Sequence, residues 1–281
     1  MLSQNQIDEF NENGVLVIKS FYDSKTEIEP IQYDIYRIIG ALIKREGLVI
    51  DRAPFSPEFF DSGFMELIAH DRALGGIVYD AAKQIPAFLR LVSSEKNETI
   101  FKQLFETDQP GIGHGAQGIR IDLPHEKKFM SPWHQEYLAH MRSLKGLVYW
   151  TPLVPITNEI GPVEACLKSH KEGVFKLRAN DPDNPDKYGA YGMVMAEEEK
   201  VIASYQHVLP LTDPGDLILL DWFVLHRSTF NNTTRPRWAM QLRYFDFEEP
   251  TGVKFGWPGG VVVGNDVTKF HPELVVNKRN F

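Results

Sequence analysis

Apolar residues recur every three or four positions through the first third of the chain, then give way to short apolar runs. Within 25–45, Ile28, Ile31, Ile35, Ile38, Ile39 and Leu42 share one face of a 3.6-residue repeat, which predicts one amphipathic helix. Segments 64–84 and 87–105 repeat the pattern, with Pro86 between them as a natural helix boundary. A short apolar stretch at 14–18 reads as a strand ahead of these helices. After Pro110 the period changes. Segments 118–123, 146–154 and 216–225 are short and rich in Ile, Leu, Val and aromatic residues, and clusters of Asp, Asn, Pro and Gly separate them. Such a series predicts an antiparallel sandwich or barrel, so the expectation is a mainly β fold with flanking helices. Segment 178–192 is too polar and too rich in Pro and Gly for a core element, and reads as a candidate lid.

Composition narrows the class. The 281 residues include 18 Phe, 10 Tyr and 5 Trp, enough to build a core and incompatible with intrinsic disorder. Thirty basic against 38 acidic residues leave a formal charge of −8, which argues against phosphate-backbone binding, so no nucleic-acid partner is expected. The one cysteine, Cys166, excludes an internal disulfide framework and cysteine-based zinc or iron–sulfur sites; flanked by Ala165 and Leu167, it reads as a buried, inert thiol. The polar start MLSQNQIDEF resembles no secretory or transit peptide, and no apolar run approaches the ~20 residues that span a bilayer, so a cytoplasmic protein without membrane contact is expected.

Several motifs invite chemistry. Gly113-His-Gly115-Ala-Gln-Gly118 spells the dinucleotide-binding pattern, but the alternating stretch that follows runs into Pro124 and offers no helix N-terminus to a pyrophosphate, so a flexible turn is expected. His114, Asp122 and His125 lie close in sequence and form one possible metal group. In Trp133-His134-Gln135-Glu136, an extended backbone would point His134 and Glu136 to the same side. An imidazole and a carboxylate so placed are two of the three ligands of a facial triad. Further on, an apolar strand delivers His226, followed by Ser228 and, eleven residues after the histidine, by Arg237. A guanidinium there offers a two-pronged donor for a carboxylate.

Taken in order, these motifs resemble the phytanoyl-CoA dioxygenase-like family of non-haem Fe(II) enzymes that use 2-oxoglutarate. Trp133-His134-Gln135-Glu136 is similar to its W-H-Q-D; Tyr149-Trp150 through Asn158, Gly161 and Ser169-His170 to its middle motifs; His226, Ser228, Asn231 and Arg237 to its closing H-x-S-x-x-N…R. The resemblance covers about 112–247, and the strand at 14–18 more loosely. It implies a double-stranded β-helix (a jelly roll) buttressed by N-terminal helices. One domain over 1–281 is then expected, with helical support to about residue 106 and the jelly-roll core over about 112–250. It implies His134, Glu136 and His226 as iron ligands, and Arg237 with Ser228 as partners of a 2-oxoglutarate carboxylate. It also implies O2 as co-substrate and Gln117 and Arg120 as substrate contacts. The expected reaction is hydroxylation of an unactivated C–H bond of a small metabolite, with release of succinate and CO2. Two departures stand out: Glu136 occupies the family's Asp position, and Lys168 its Gly before Ser-His. Because a carboxylate is retained, hydroxylation is favoured over the halogenation of relatives that lack it. The rival reading is a cupin-like barrel that binds a small molecule without oxidising it.

Overall fold

A computed structural model describes residues 1–178, 194–258, 267 and 269–276. The helical first third is more finely divided than the periodicity predicts. Ser3 caps α1 (Gln4–Asn13) in a reciprocal capping box with Gln6. After strand β1 (Val15–Ile18), the 25–45 stretch begins as a π-helical turn, Ser24–Ile28, capped by Asp23, and continues as α2 (Glu29–Arg45). Segment 64–84 forms two helices, α3 (Phe64–His70) and α4 (Ala73–Ala82), broken where Asp71 turns extended. Segment 87–105 likewise splits into α5 (Pro86–Val92) and α6 (Glu95–Phe105), separated by Ser93 and Ser94. In both places the apolar period runs on across the break, because both pieces bury their stripe in the same core.

The strands follow as β2 (Pro110–Ile112), β3 (Gly118–Asp122), β4 (Gly146–Pro152), β5 (Val163–Cys166), β6 (Leu177–Arg178), β7 (Val194–Met195), β8 (His207–Val208), β9 (Leu217–Asp221), β10 (His226–Ser228), β11 (Arg237–Asp246) and β12 (Val275–Val276); α7 (Glu198–Ile202) and α8 (Pro250–Phe255) lie among them. The large sheet runs β1-β9-β4-β11-β2, with β3 also paired to β11; a small sheet runs β10-β5-β8. These antiparallel sheets form the jelly roll. A third set, β12-β6-β7, joins the C-terminal strand in parallel to β6.

Period-2 alternation sorts the large sheet into two faces. Outward, Tyr149 Oη donates to Asn97 O, Tyr244 Oη to Val92 O, and Trp238 packs edge-on against Phe60 and Phe64, which fixes the helices to the sheet. Inward, strand register places Val148 opposite Leu220 and Arg243, Trp150 opposite Ile218 and Gln241, and Arg237 opposite Asp122. That inner face and the small sheet enclose a cavity of about 90 Å3. No helix among the described residues is long and apolar enough to cross a membrane.

Candidate metal centre

His134, Glu136 and His226 meet in this cavity, each offering a ligand atom within 4.8 Å of the others. The two histidines are joined through their backbones. His134 N–H donates to His226 O and His226 N–H to His134 O, each at 3.1 Å, and the rings lie 4.2 Å apart. The 131–136 segment is no continuous strand: His134 forms one isolated bridge, and Glu136 opens a 3-10 turn that ends at Ala139. The i, i+2 argument survives because the intervening Gln135 is extended, with φ −108° and ψ 134°. Its buried side chain faces the other way, where the amide donates to Gly173 O and Phe223 O and accepts from Phe175 N–H.

The donor atoms suit a cation. His134 Nδ1 lies 2.8 Å from Pro132 O and His226 Nδ1 3.0 Å from Val224 O. A carbonyl only accepts, so each Nδ1 carries the proton and each Nε2 presents a lone pair. Those lone pairs face the same carboxylate oxygen, Glu136 Oε2, at 3.8 and 3.7 Å. Three electron-pair donors aimed at one point, with no proton between them, are stabilised by a positive ion. Burial, and after it the neighbouring imidazole of His134, pushes the His226 pKa down, so the ring stays neutral and free to coordinate. Burial alone would raise the Glu136 pKa, but the charge of Arg243 and the imidazoles around the carboxylate outweigh it and hold the carboxyl well below its ordinary range.

The remaining expected site residues scatter. Ser228 lies two residues beyond His226 and lines the cavity with it. Arg237 sits on the inward face of β11, but its buried guanidinium is taken up by Asp122 Oδ2, at 2.8 Å from Nη2 and 3.2 Å from Nε, and by Gly161 O, and it does not line the cavity. Gly161 has φ +88°, and a Cβ there would lie 2.7 Å from Phe230 O, so the turn that offers this carbonyl requires glycine. Arg120 does line the cavity and donates to Asp122 and Ser131; Gln117 does not. The His114, Asp122 and His125 group is not assembled: both histidines are exposed, and Asp122 is buried between Arg120 and Arg237. The 113–118 glycines link β2 to β3, with no helix following. Cys166 is fully buried, which pushes its thiol up to about 12. Lys168 has φ +67°, the left-handed backbone for which glycine is the usual residue, and its ammonium is held by Glu12. The candidate lid, 178–192, falls outside the described residues apart from Arg178.

Three residues at the site escaped the sequence reading. Gln241 and Arg243 line the cavity, and His140 stands beside Glu136. The signal was present: Arg237, Ala239, Gln241 and Arg243 alternate along one strand face, and His140 is four residues past Glu136.

Comparison with known proteins identifies the family and the fold. The model of the phytanoyl-CoA dioxygenase (PhyH) family matches residues 10–239. A phytanoyl-CoA dioxygenase domain-containing protein 1 homolog from Dictyostelium discoideum is 22% identical over 270 residues, covering 87% of this chain and 92% of that protein. EctD from S. alaskensis, solved with 2-oxoglutarate and 5-hydroxyectoine, superposes with a TM-score of 0.57 at 16% identity, over 87% of this chain and 76% of that one. The epimerase SnoN, solved with Fe3+, alpha ketoglutarate and nogalamycin RO, also gives 0.57 at 16% identity, over 90% and 88%. With the family model spanning most of its length, and a His-Glu-His group in the structure that could hold a metal ion, the chain belongs to the phytanoyl-CoA dioxygenase (PhyH) family of iron- and 2-oxoglutarate-dependent dioxygenases.

Proposed function

We propose that the protein hydroxylates an unactivated C–H bond of a small-molecule metabolite, with His134, Glu136 and His226 as the Fe(II) ligands and residues 1–281 acting as one oxygenase domain. The observation that carries this reading is the convergence of two Nε2 lone pairs on Glu136 Oε2 inside the cavity. Bound iron with 2-oxoglutarate and O2 supplies the oxidising chemistry and yields succinate and CO2. The chain supplies three ligands on one side of the metal position, fixes the tautomers of both histidines through backbone carbonyls, and walls the position from bulk water with Val148, Trp150 and Leu220. Because Glu136 is present, no ligand position falls vacant for a halide. A small-molecule substrate is supported by the ligands in the EctD and SnoN structures.

Ser228 is the hydroxyl donor to a carboxylate of 2-oxoglutarate in this reading, and Arg237 the cation. Asp122 already holds Arg237, so the co-substrate would have to share that guanidinium. Arg120, on the cavity wall, is a second cation for the same carboxylate; the alternative is that it contacts the substrate, with Gln117 a more distant contact. Titrating 2-oxoglutarate into Arg237→Gln and Arg120→Gln decides between them, since the larger loss of affinity marks the partner.

Adding Fe(II) and 2-oxoglutarate anaerobically to the apoprotein is expected to produce a weak visible charge-transfer band that His134→Ala abolishes. Intact protein without a band would favour the cupin-like binding barrel, and turnover without O2 an isomerase. A succinate-release screen over diverse small metabolites then identifies the substrate.

A further inference from the structure

The two oxygens of Glu136 have different surroundings. Oε2 faces His134 and His226. Oε1 points away, accepting from Arg243 Nε at 2.9 Å and lying 3.2 Å from His140 Nε2. The tautomer of His140 follows from its other nitrogen. Arg142 Nη1 lies 3.1 Å from His140 Nδ1, and a guanidinium only donates, so Nδ1 accepts and Nε2 carries the proton. His140 is therefore a donor to Glu136, the reverse of the two ligand histidines: an anchor beside the site and not a fourth ligand. The anchors are themselves fixed. Arg243 donates to Ala116 O and Gln241 Oε1, each at 2.8 Å, and Arg142 to His114 O at 2.8 Å.

This arrangement answers the departure seen in the sequence. A glutamate where aspartate is usual adds a methylene and a rotatable bond, so the carboxylate can swing and offer both oxygens to a metal. We propose that Arg243 and His140, backed by Arg142, are positioning residues that hold Glu136 Oε1 off the metal position, so that the longer carboxylate presents Oε2 alone and coordination space remains for 2-oxoglutarate. The proposal rests on the metal-centre reading above.

The test uses the full chain, loaded anaerobically with Fe(II). Fe(II) affinity is measured by calorimetry without co-substrate, and 2-oxoglutarate affinity by titrating the charge-transfer band. Arg243→Met and His140→Leu are expected to keep Fe(II) binding while the half-saturating 2-oxoglutarate concentration rises by roughly 10-fold, equivalent to about 1.4 kcal/mol of lost co-substrate binding. Arg243→Lys, which restores a charged donor, should recover part of that loss. His140→Leu serves if Arg243→Met fails to fold. Unchanged 2-oxoglutarate affinity in a folded variant overturns the proposal. So does a parallel fall in both affinities, because the anchors would then merely hold the ligand set together. If the wild-type protein binds no Fe(II), the metal-centre reading itself fails, and this proposal falls with it.

Discussion

The buried pair Asp122–Arg237 permits a prediction with a magnitude. Arg237 is 1% exposed and Asp122 8%. Arg237→Met removes two hydrogen bonds to Asp122 Oδ2 and the donation to Gly161 O. Removing one partner of a buried ion pair costs about 3–5 kcal/mol, because the other charge is left without compensation. Here Arg120 still holds both Asp122 oxygens at 2.8 Å, which puts the expected cost near the low end, about 3 kcal/mol. At about 2–4 °C per kcal/mol for a domain of comparable size, the melting temperature should fall by roughly 6–12 °C. The assay is thermal unfolding of the metal-free protein, with Asp122→Asn and the double variant completing a cycle; a coupling above about 1 kcal/mol is expected for groups in contact. If Arg237→Met melts with the wild type, the pair does not hold β3 to β11 and the argument is refuted. Should the same variant also lose 2-oxoglutarate binding, the working partner of Arg237 is the co-substrate and Asp122 only its resting counterion.

Two further predictions concern protons and metal. Burial pushes the Asp221 carboxyl up to about 7, against one backbone N–H from Phe223. A folded value above the ordinary 3.8 means that the fold prefers the neutral acid, so stability is full at low pH and is lost as pH rises from about 4 through about 7, by at most about 4 kcal/mol. Asp221→Asn should therefore gain stability over the wild type as pH rises, read as melting temperature from about pH 4.5 to 8. A constant difference between the two proteins across that range would show that the carboxyl does not titrate there. For the metal, Fe(II) at about a hundred times its Kd should stabilise the fold by about 2.7 kcal/mol, a gain reversed by a chelator and reduced in Glu136→Gln. A melting temperature indifferent to Fe(II) would argue against a metal centre at these residues.

The convergence of the three candidate ligands was legible because its information is local. One extended residue, Gln135, puts His134 and Glu136 on the same side, and the apolar run 217–225 leads to His226, although β9 stops at Asp221 and His226 opens β10 in the other sheet; their meeting needs only the bridge between the two segments. The change of period after Pro110 likewise marks the passage from helices to sheets. What stayed hidden depends on register between distant strands. Nothing in the sequence places Asp122 opposite Arg237, yet that pairing occupies the guanidinium expected to be free for a co-substrate. Nor does it show Arg243, 107 positions from Glu136, reaching its carboxylate. The helix breaks at Asp71 and at Ser93–Ser94 were hidden for a different reason. A kinked pair of helices keeps its apolar stripe, so periodicity alone cannot tell two short helices from a long one.

The family match ends at residue 239, partway along β11, and three features of the cavity lie beyond that limit. Gln241 and Arg243 form part of its inner wall, and Val267 lines it from the segment after α8. That segment is fastened to the site itself. His271 Nε2 lies 2.6 Å from the hydroxyl of Tyr137, the residue next to Glu136, while its Nδ1 meets Glu273 at 3.0 Å and β12 pairs with β6. The shared span thus carries the three metal-ligand candidates and the remainder carries part of the wall around them. Membership of the family consequently speaks for the metal chemistry but says little about which molecule is held against it. Differences in substrate between this protein and its relatives are to be sought first at Gln241, Arg243 and Val267, where the cavity is built from sequence outside the matched span.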